Sequence, residues 1–227
     1  KLNAGREEIA QLSRRRFLGY AGAATGIITI ATGCNKNDNI PSNSAADEVN
    51  LGSGDGGILN YAYALEQLEA AFYTIVISSQ YQGISASETA LLTDIRDHEI
   101  VHREFFKTAL AGNAIADLEF DFSSIDFGSR DSVLATAKAF EDLGVSAYNG
   151  AGRLIETADY LTLAGKIVSV EARHAAYIRE IISKGSFADD TAIDTNGLDM
   201  SKKPADVLAI AKKYIKTAIN ASNLPTY

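Results

Sequence analysis

The chain reads as an all-α protein: a four-helix bundle of two antiparallel pairs joined by one long crossover, with an extra C-terminal helix. Three observations predict this. Four segments, at about residues 57–80, 86–111, 131–157 and 160–184, carry apolar residues at alternating three- and four-residue steps. Of the three prolines, Pro41 and Pro225 lie in tails and Pro204 near the start of the fifth helix, so none interrupts the four. The connections are short, long, short.

Helices one and two are joined by SQYQG and a few neighbours, and helices three and four by little more than a turn, so each pair is antiparallel. The middle link, GNAIADLEFDFSSIDFGS, has roughly eighteen residues and can stretch about 60 Å. A twenty-five-residue helix is about 38 Å long, so the link can run the length of the bundle and set helices two and three parallel. Ser85 followed by Glu88 predicts a capping box at the second helix, and Asp159 is placed to cap the fourth.

Outside the bundle, residues 13–19 (SRRRFLG) precede the apolar run AGAATGIITIATG, which is too short to span a bilayer. Arg14 and Arg15 supply a twin-arginine pattern, and ATGC resembles a lipobox in which Cys34 becomes the lipidated first residue of the mature chain. The expected organisation is a signal peptide over residues 1–33, a flexible linker over 34–56, the bundle over 57–185 and an extension with one helix over 186–227. The expected location is the cell envelope or periplasm, with the lipid on Cys34 the sole hold on a membrane. In the extension, Val207, Ile210, Ala211 and Ile215 form an apolar face that either packs back as a fifth helix or sits at an interface.

Formal charge narrows the partners. The chain carries −8, and removal of residues 1–33, with five basic and two acidic side chains, takes it to −11. That excludes a role coating nucleic acid. With its one cysteine lipidated, the mature chain has neither a disulfide framework nor a thiolate metal site, so oxygen and nitrogen must hold any metal.

The chemistry lies in the middle of the apolar stripes. Helix one reads Ile58, Ala62, Leu65, Glu69, Phe72, Val76, and helix two Leu92, Ile95, Glu99, His102, Phe106, Ala109. Helix three reads Leu134, Ala137, Glu141, Gly144, Tyr148, Ala151, Ile155, and helix four Ala164, Ile167, Glu171, His174, Ile178, Ile181. Glu69 to Glu141, Glu99 to Glu171 and His102 to His174 are each 72 residues, which marks a divergent repeat. An unpaired carboxylate in a core costs several kcal/mol, and four together repel one another. Four Glu⁻ with two neutral His carry −4, which two divalent cations cancel; the ligand set suits iron or manganese, with zinc a common substitute. Each Glu-x-x-His puts a carboxylate and an imidazole on one helix face, a turn apart. His98 lies off the stripe as a surface or supporting residue. Glu66 is either a solvated flank residue or an alternative ligand, and the 72-residue shift favours Glu69.

LEAAFY, HEIVHREFF, FEDLGVSAYNGAG and VEARHAAYIRE resemble the ferritin-like superfamily, more narrowly the exported bacterial and desiccation-related ferritin-like proteins, over roughly residues 57–185. The resemblance implies a dinuclear carboxylate site binding two iron ions, with Glu69, Glu99, His102, Glu141, Glu171 and His174 as ligands and Glu99 and Glu171 as bridges. It further implies redox reaction of Fe(II) with O2 or peroxide. There is no cysteine-ligated electron-transfer module, so electrons would come from a separate donor. Tyr148 is the catalytic candidate, able to hydrogen-bond a ligand or be oxidised; the plainer alternative is a core tyrosine with a satisfied hydroxyl. Homo-oligomerisation is compatible with this class. The competing function is a non-catalytic envelope stress-protection or binding module, with a structural or vestigial metal site.

Overall fold

Five helices follow in chain order: α1 Gly54–Ser78, α2 Ala86–Leu110, α3 Arg130–Gly152, α4 Ala158–Ile182 and the short α5 Pro204–Ala211. The computed structural model of the chain describes residues 48–227. The expected signal segment, Cys34 and most of the expected linker lie outside the described residues. The bundle and its extra helix stand as the apolar periodicity predicts. α2 begins with the capping box: Ser85 Oγ accepts from Glu88 N at 3.1 Å, and Glu88 Oε2 accepts from Ser85 N at 3.3 Å. At α4 the expectation is corrected. Thr157 is the N-cap residue and makes no side-chain cap bond, while Asp159 sits inside the first turn. The incoming backbone is held instead by Asp55 of α1, which accepts from Glu156 N at 2.8 Å and Thr157 N at 2.9 Å.

Long-range bonds fix the helix directions. Arg130, opening α3, donates to Glu88 at the start of α2 and to Ile181 O at the end of α4. Asp55, near the start of α1, holds the turn between α3 and α4. α2 and α3 are therefore parallel and α3 and α4 antiparallel, as one long crossover demands. That crossover runs along α1, whose buried amides satisfy its backbone. Asn60 donates to Asn113 O (3.0 Å) and accepts from Ile115 N (3.0 Å); further on, Gln67 accepts from Leu118 N at 2.8 Å. The crossover then delivers Phe122 and Phe127 onto Phe72, with ring centroids 6.2 and 5.9 Å away. As a result α1 is enclosed on all sides: every residue from Gly57 to Ala70 is buried.

The C-terminal extension packs back onto the bundle. Val207, Ala211 and Ile215 are buried, but Ile210, expected on the same face, is 39 % exposed because the helix is only two turns long and rests on one edge. Ile215 bridges to Phe120 of the crossover, and Val49–Asn50 (β1) pairs in parallel with Ile219–Asn220 (β2). Residues 48–51, expected within the linker, are thus part of the folded body, and Leu51 is fully buried. Gly150 lets the extension approach: a Cβ there would lie 1.7 Å from Lys202 O. Arg179 of α4 anchors the segment from the other side. Its guanidinium is 1 % exposed, forks onto both oxygens of Asp142 at 2.7 Å and reaches Asp189 at 3.0 Å.

Removing one partner of a fully buried ion pair costs roughly 3–5 kcal/mol. Both aspartates keep some solvent here, so Arg179→Met is expected to cost about 2 kcal/mol in denaturant unfolding. A loss below about 0.5 kcal/mol, the range of ordinary surface substitutions, would contradict the anchoring role.

Candidate metal centre

Six side chains from the four long helices meet at mid-bundle: Glu66 from α1, Glu99 and His102 from α2, Glu141 from α3, and Glu171 and His174 from α4. They form two overlapping groups of four. One holds Glu66, Glu99, His102 and Glu171; the other holds Glu99, Glu141, Glu171 and His174. Within each group the inward ligand atoms lie within 4.8 Å of one another. Glu99 and Glu171 belong to both. Glu171 points Oε1 at His102 Nδ1 (2.9 Å) and Oε2 toward His174 Nδ1 (3.8 Å). Glu99 does the reverse, with Oε1 at His174 Nδ1 (2.8 Å) and Oε2 toward His102 Nδ1 (3.8 Å). One oxygen of each shared carboxylate therefore faces each group, as a bridge between two cations requires. Glu66 Oε2 stands 3.5 Å from His102 Nδ1, and Glu141 Oε2 stands 3.4 Å from His174 Nδ1.

The outer oxygens of the two end carboxylates are held by tyrosines. Tyr148 of α3 donates to Glu66 Oε1, and Tyr73 of α1 donates to Glu141 Oε1 at 2.5 Å. Each hydroxyl comes from the helix that carries the other glutamate. Tyr148, the catalytic candidate, thus has a satisfied hydroxyl and orients a carboxylate; Tyr73 is its counterpart and was not expected. His98, off the stripe, stacks on His174 with centroids 5.2 Å apart and Nδ1 2.9 Å from His174 Nε2. For His174 Nδ1 to turn a lone pair inward its proton must sit on Nε2, which then donates to His98.

Glu69 is the one expected ligand that belongs to neither group; Glu66 stands where Glu69 was expected. Glu69 is 3 % exposed and lies alongside. Its Oε1 is 3.1 Å, and Glu171 Oε2 3.7 Å, from the point a Cβ on Gly144 would occupy. Glu66 and Glu69 are a single turn apart on a helix buried all round, so burial does not separate them. A sequence signal does. Glu66 and Tyr73 are seven residues apart, as are Glu141 and Tyr148, and the two pairs are offset by 75 residues rather than 72.

Eight buried atoms at this centre have no hydrogen-bond partner: Glu66 Oε2, both oxygens of Glu99 and of Glu171, Glu141 Oε2, and Nδ1 of His102 and His174. These are the inward-facing atoms of the two groups. The polar atoms turned outward on Glu66, Glu141 and His174 are satisfied, so the shortage falls where cations would sit. The residues fit a pair of divalent ions. Without them, protons must supply the compensation. Burial opposes charge on His174, but the carboxylates of Glu141, Glu171 and Glu99 that face its Nδ1 override it and push the imidazole up to about 12. His102 is raised in the same way against its own burial, by Glu171, Glu66 and Glu99. Glu171 is held at about 2: burial works to raise it, and the two histidines more than reverse that. Burial, followed by the charge of Glu171, lifts Glu99 well above the carboxylate range, and burial lifts Glu141 to about 7.

Fold and site together define a ferritin-like bundle whose core carries two overlapping groups of buried carboxylates and imidazoles that could hold metal ions. The family model described as "Ferritin-like domain" matches residues 54–184, more than half of the chain, and the protein belongs to that family. No curated protein matches the chain.

Two predictions follow from the geometry. Groups whose affinity for protons is raised hold them at neutral pH and must release them to bind metal, so affinity falls as pH falls. Loading the apoprotein at pH 7 in weak buffer should release at least two protons, one per imidazole and more from Glu99 and Glu141, and binding should tighten from pH 6 to 8. Release of fewer than two protons, with pH-independent affinity, would contradict this charge balance. Secondly, Glu66→Gln should weaken binding of one ion by about tenfold or more, whereas Glu69→Gln should keep two ions per chain by titration calorimetry. Equal losses in both variants would overturn the assignment of Glu66.

Proposed function

We propose that this protein is a di-iron oxidoreductase of the ferritin-like class, whose centre is oxidised by O2 or hydrogen peroxide. One observation carries the proposal: eight orphaned ligand atoms are grouped so that two carboxylates each face both halves of the site. A single structural ion would not need that duplication. Iron suits the donor set, and manganese or zinc would bind the same atoms. When bound, two Fe(II) ions supply two electrons, enough with two protons to convert O2 to hydrogen peroxide, or hydrogen peroxide to two waters.

The chain's own groups set the conditions. Glu66, Glu99, His102 and Glu171 would hold one ion, and Glu99, Glu141, Glu171 and His174 the other. Tyr148 and Tyr73 fix the outer oxygens of Glu66 and Glu141, so these carboxylates meet their ions with one oxygen already oriented. His98 holds the ring of His174. Phe72 lies in edge contact with Phe140, 5.1 Å between centroids, and with Tyr73 at 5.0 Å, so aromatic rings pack around the tyrosine that holds Glu141. Glu69 stays outside both groups, its carboxyl pushed well above the usual range by burial and by the neighbouring charges of Glu99, Glu171, Glu141 and Glu66.

The cellular setting belongs to the proposal as well. The twin-arginine pattern and the cysteine at 34 support export as a folded, metal-loaded protein and a lipid anchor in the envelope, with electrons from a separate donor. No helix among the described residues is long and apolar enough to cross a membrane.

Anaerobic loading with two Fe(II) per chain, followed by air or peroxide, should produce ferric absorption at least about tenfold faster than free Fe(II) does in the same buffer. Glu99→Ala should abolish this, since both groups lose a member. A protein that binds two ions yet accelerates neither oxidation is a non-catalytic binding module, and the proposal fails.

A further inference from the structure

Next to the metal centre, toward the end of the bundle where α1 and α4 begin, the four long helices do not close completely. Ala62, Ala147 and Ala151 face inward where larger side chains would fill the space, and Leu65, Phe106 and Tyr148 form the inner wall. The cavity has a volume of about 20 Å³. A single water needs roughly 10–15 Å³, so the cavity has room for one small molecule such as a diatomic gas.

Polarity narrows the occupant further. Three tyrosines line the cavity: Tyr148 spends its hydroxyl on Glu66, Tyr61 has a buried hydroxyl without a partner, and Tyr160 stands half-buried on the solvent side. A water, or a peroxide with its two O–H groups, needs two to four polar partners to be held, and the buried walls offer only that of Tyr61. Apolar cavities of this kind stay dry and take up apolar gases. The half-buried Ile155 and Leu163 line the cavity nearer the solvent side, while the inner wall is nearly closed, with Leu65 and Phe106 each 3 % exposed.

We infer that this cavity is a dioxygen site, a dry chamber that holds O2 one side chain from the metal centre and favours O2 over peroxide as the oxidant arriving by this path. The connection is Tyr148, whose ring lines the cavity and whose hydroxyl holds Glu66. Leu65 lines it too, next in sequence to the same glutamate. The choice of oxidant rests on the function proposed above; the gas site itself does not.

Xenon has the size and polarity to report on the cavity without any chemistry, so the first measurement uses the metal-free wild-type protein. Crystals pressurised with xenon should show a peak bounded by Ala62, Ala147, Ala151 and Tyr148, and absence of xenon there overturns the proposal. The second measurement fills the space with Ala151→Phe, and with the smaller Ala151→Val in case overpacking prevents folding. Both should lose xenon and slow oxidation of the Fe(II)-loaded protein by O2, by about tenfold for Phe, while oxidation by hydrogen peroxide changes less than about twofold. Equal slowing of both oxidants, or of neither in a variant that has lost xenon, overturns the chamber as the path of O2. If wild-type protein binds xenon but accelerates oxidation by neither O2 nor peroxide, the redox function fails and the gas site stands; if it reacts with peroxide alone, the chamber as the path of O2 is overturned.

Discussion

Uncompensated charge in the middle of a hydrocarbon-like core is the constraint around which this molecule is built. Glu66, Glu99, Glu141 and Glu171 are each fully buried, and burying one carboxylate without a counter-charge costs several kcal/mol. The two imidazoles at the same level are the nearest compensation the chain provides. Protonated, they sandwich Glu171 and hold it ionised while Glu99 and Glu141 are forced toward the neutral form. Cations in the same positions would satisfy all four carboxylates at once. Under the proposed function the bundle would have two modes of charge balance, protons or metal, and binding would exchange one for the other.

The surrounding architecture serves to keep that layer fixed and dry. Each pair of antiparallel helices contributes three of the six groups, and the reciprocal tyrosines tie one pair to the other, Tyr148 to Glu66 and Tyr73 to Glu141. The crossover covers the outer face of α1, and the buried Asn60 and Gln67 satisfy its backbone where water is excluded. Gly144, on the stripe of α3, leaves the space in which Glu69 and Glu171 approach each other. Farther out, the C-terminal extension is locked by Arg179 and by the close approach at Gly150, so the chain itself covers the part of α3 and α4 around those two residues.

How far the site could be read from sequence depended on how each helix is buried. α2 buries one stripe, Leu92, Ile95, Glu99, Phe106 and Ala109 among it, and α4 buries Ile167, Glu171, His174 and Ile178; both carry polar outer faces. On such helices a charged residue within the stripe stands out, and both Glu-x-x-His pairs were legible. α1 is buried all round, so its periodicity carries no phase and Glu66 and Glu69 looked equivalent. The repeat could have separated them, but α1–α2 and α3–α4 differ by three residues between their glutamates. A constant shift of 72 therefore fits the second helix of each half and misplaces the first. The crossover was legible from its length. Its partners Asn60 and Gln67, the two-residue strands and the anchor at Arg179 were not, because each exists only through contact with residues distant in sequence.

The most direct measurement is anomalous diffraction from crystals of the protein loaded anaerobically with Fe(II), collected at the iron edge. The account predicts two peaks per chain, one among Glu66, Glu99, His102 and Glu171 and the other among Glu99, Glu141, Glu171 and His174, with Glu99 and Glu171 contacting both. A single peak, peaks outside the bundle core, or coordination by Glu69 in place of Glu66 would contradict it.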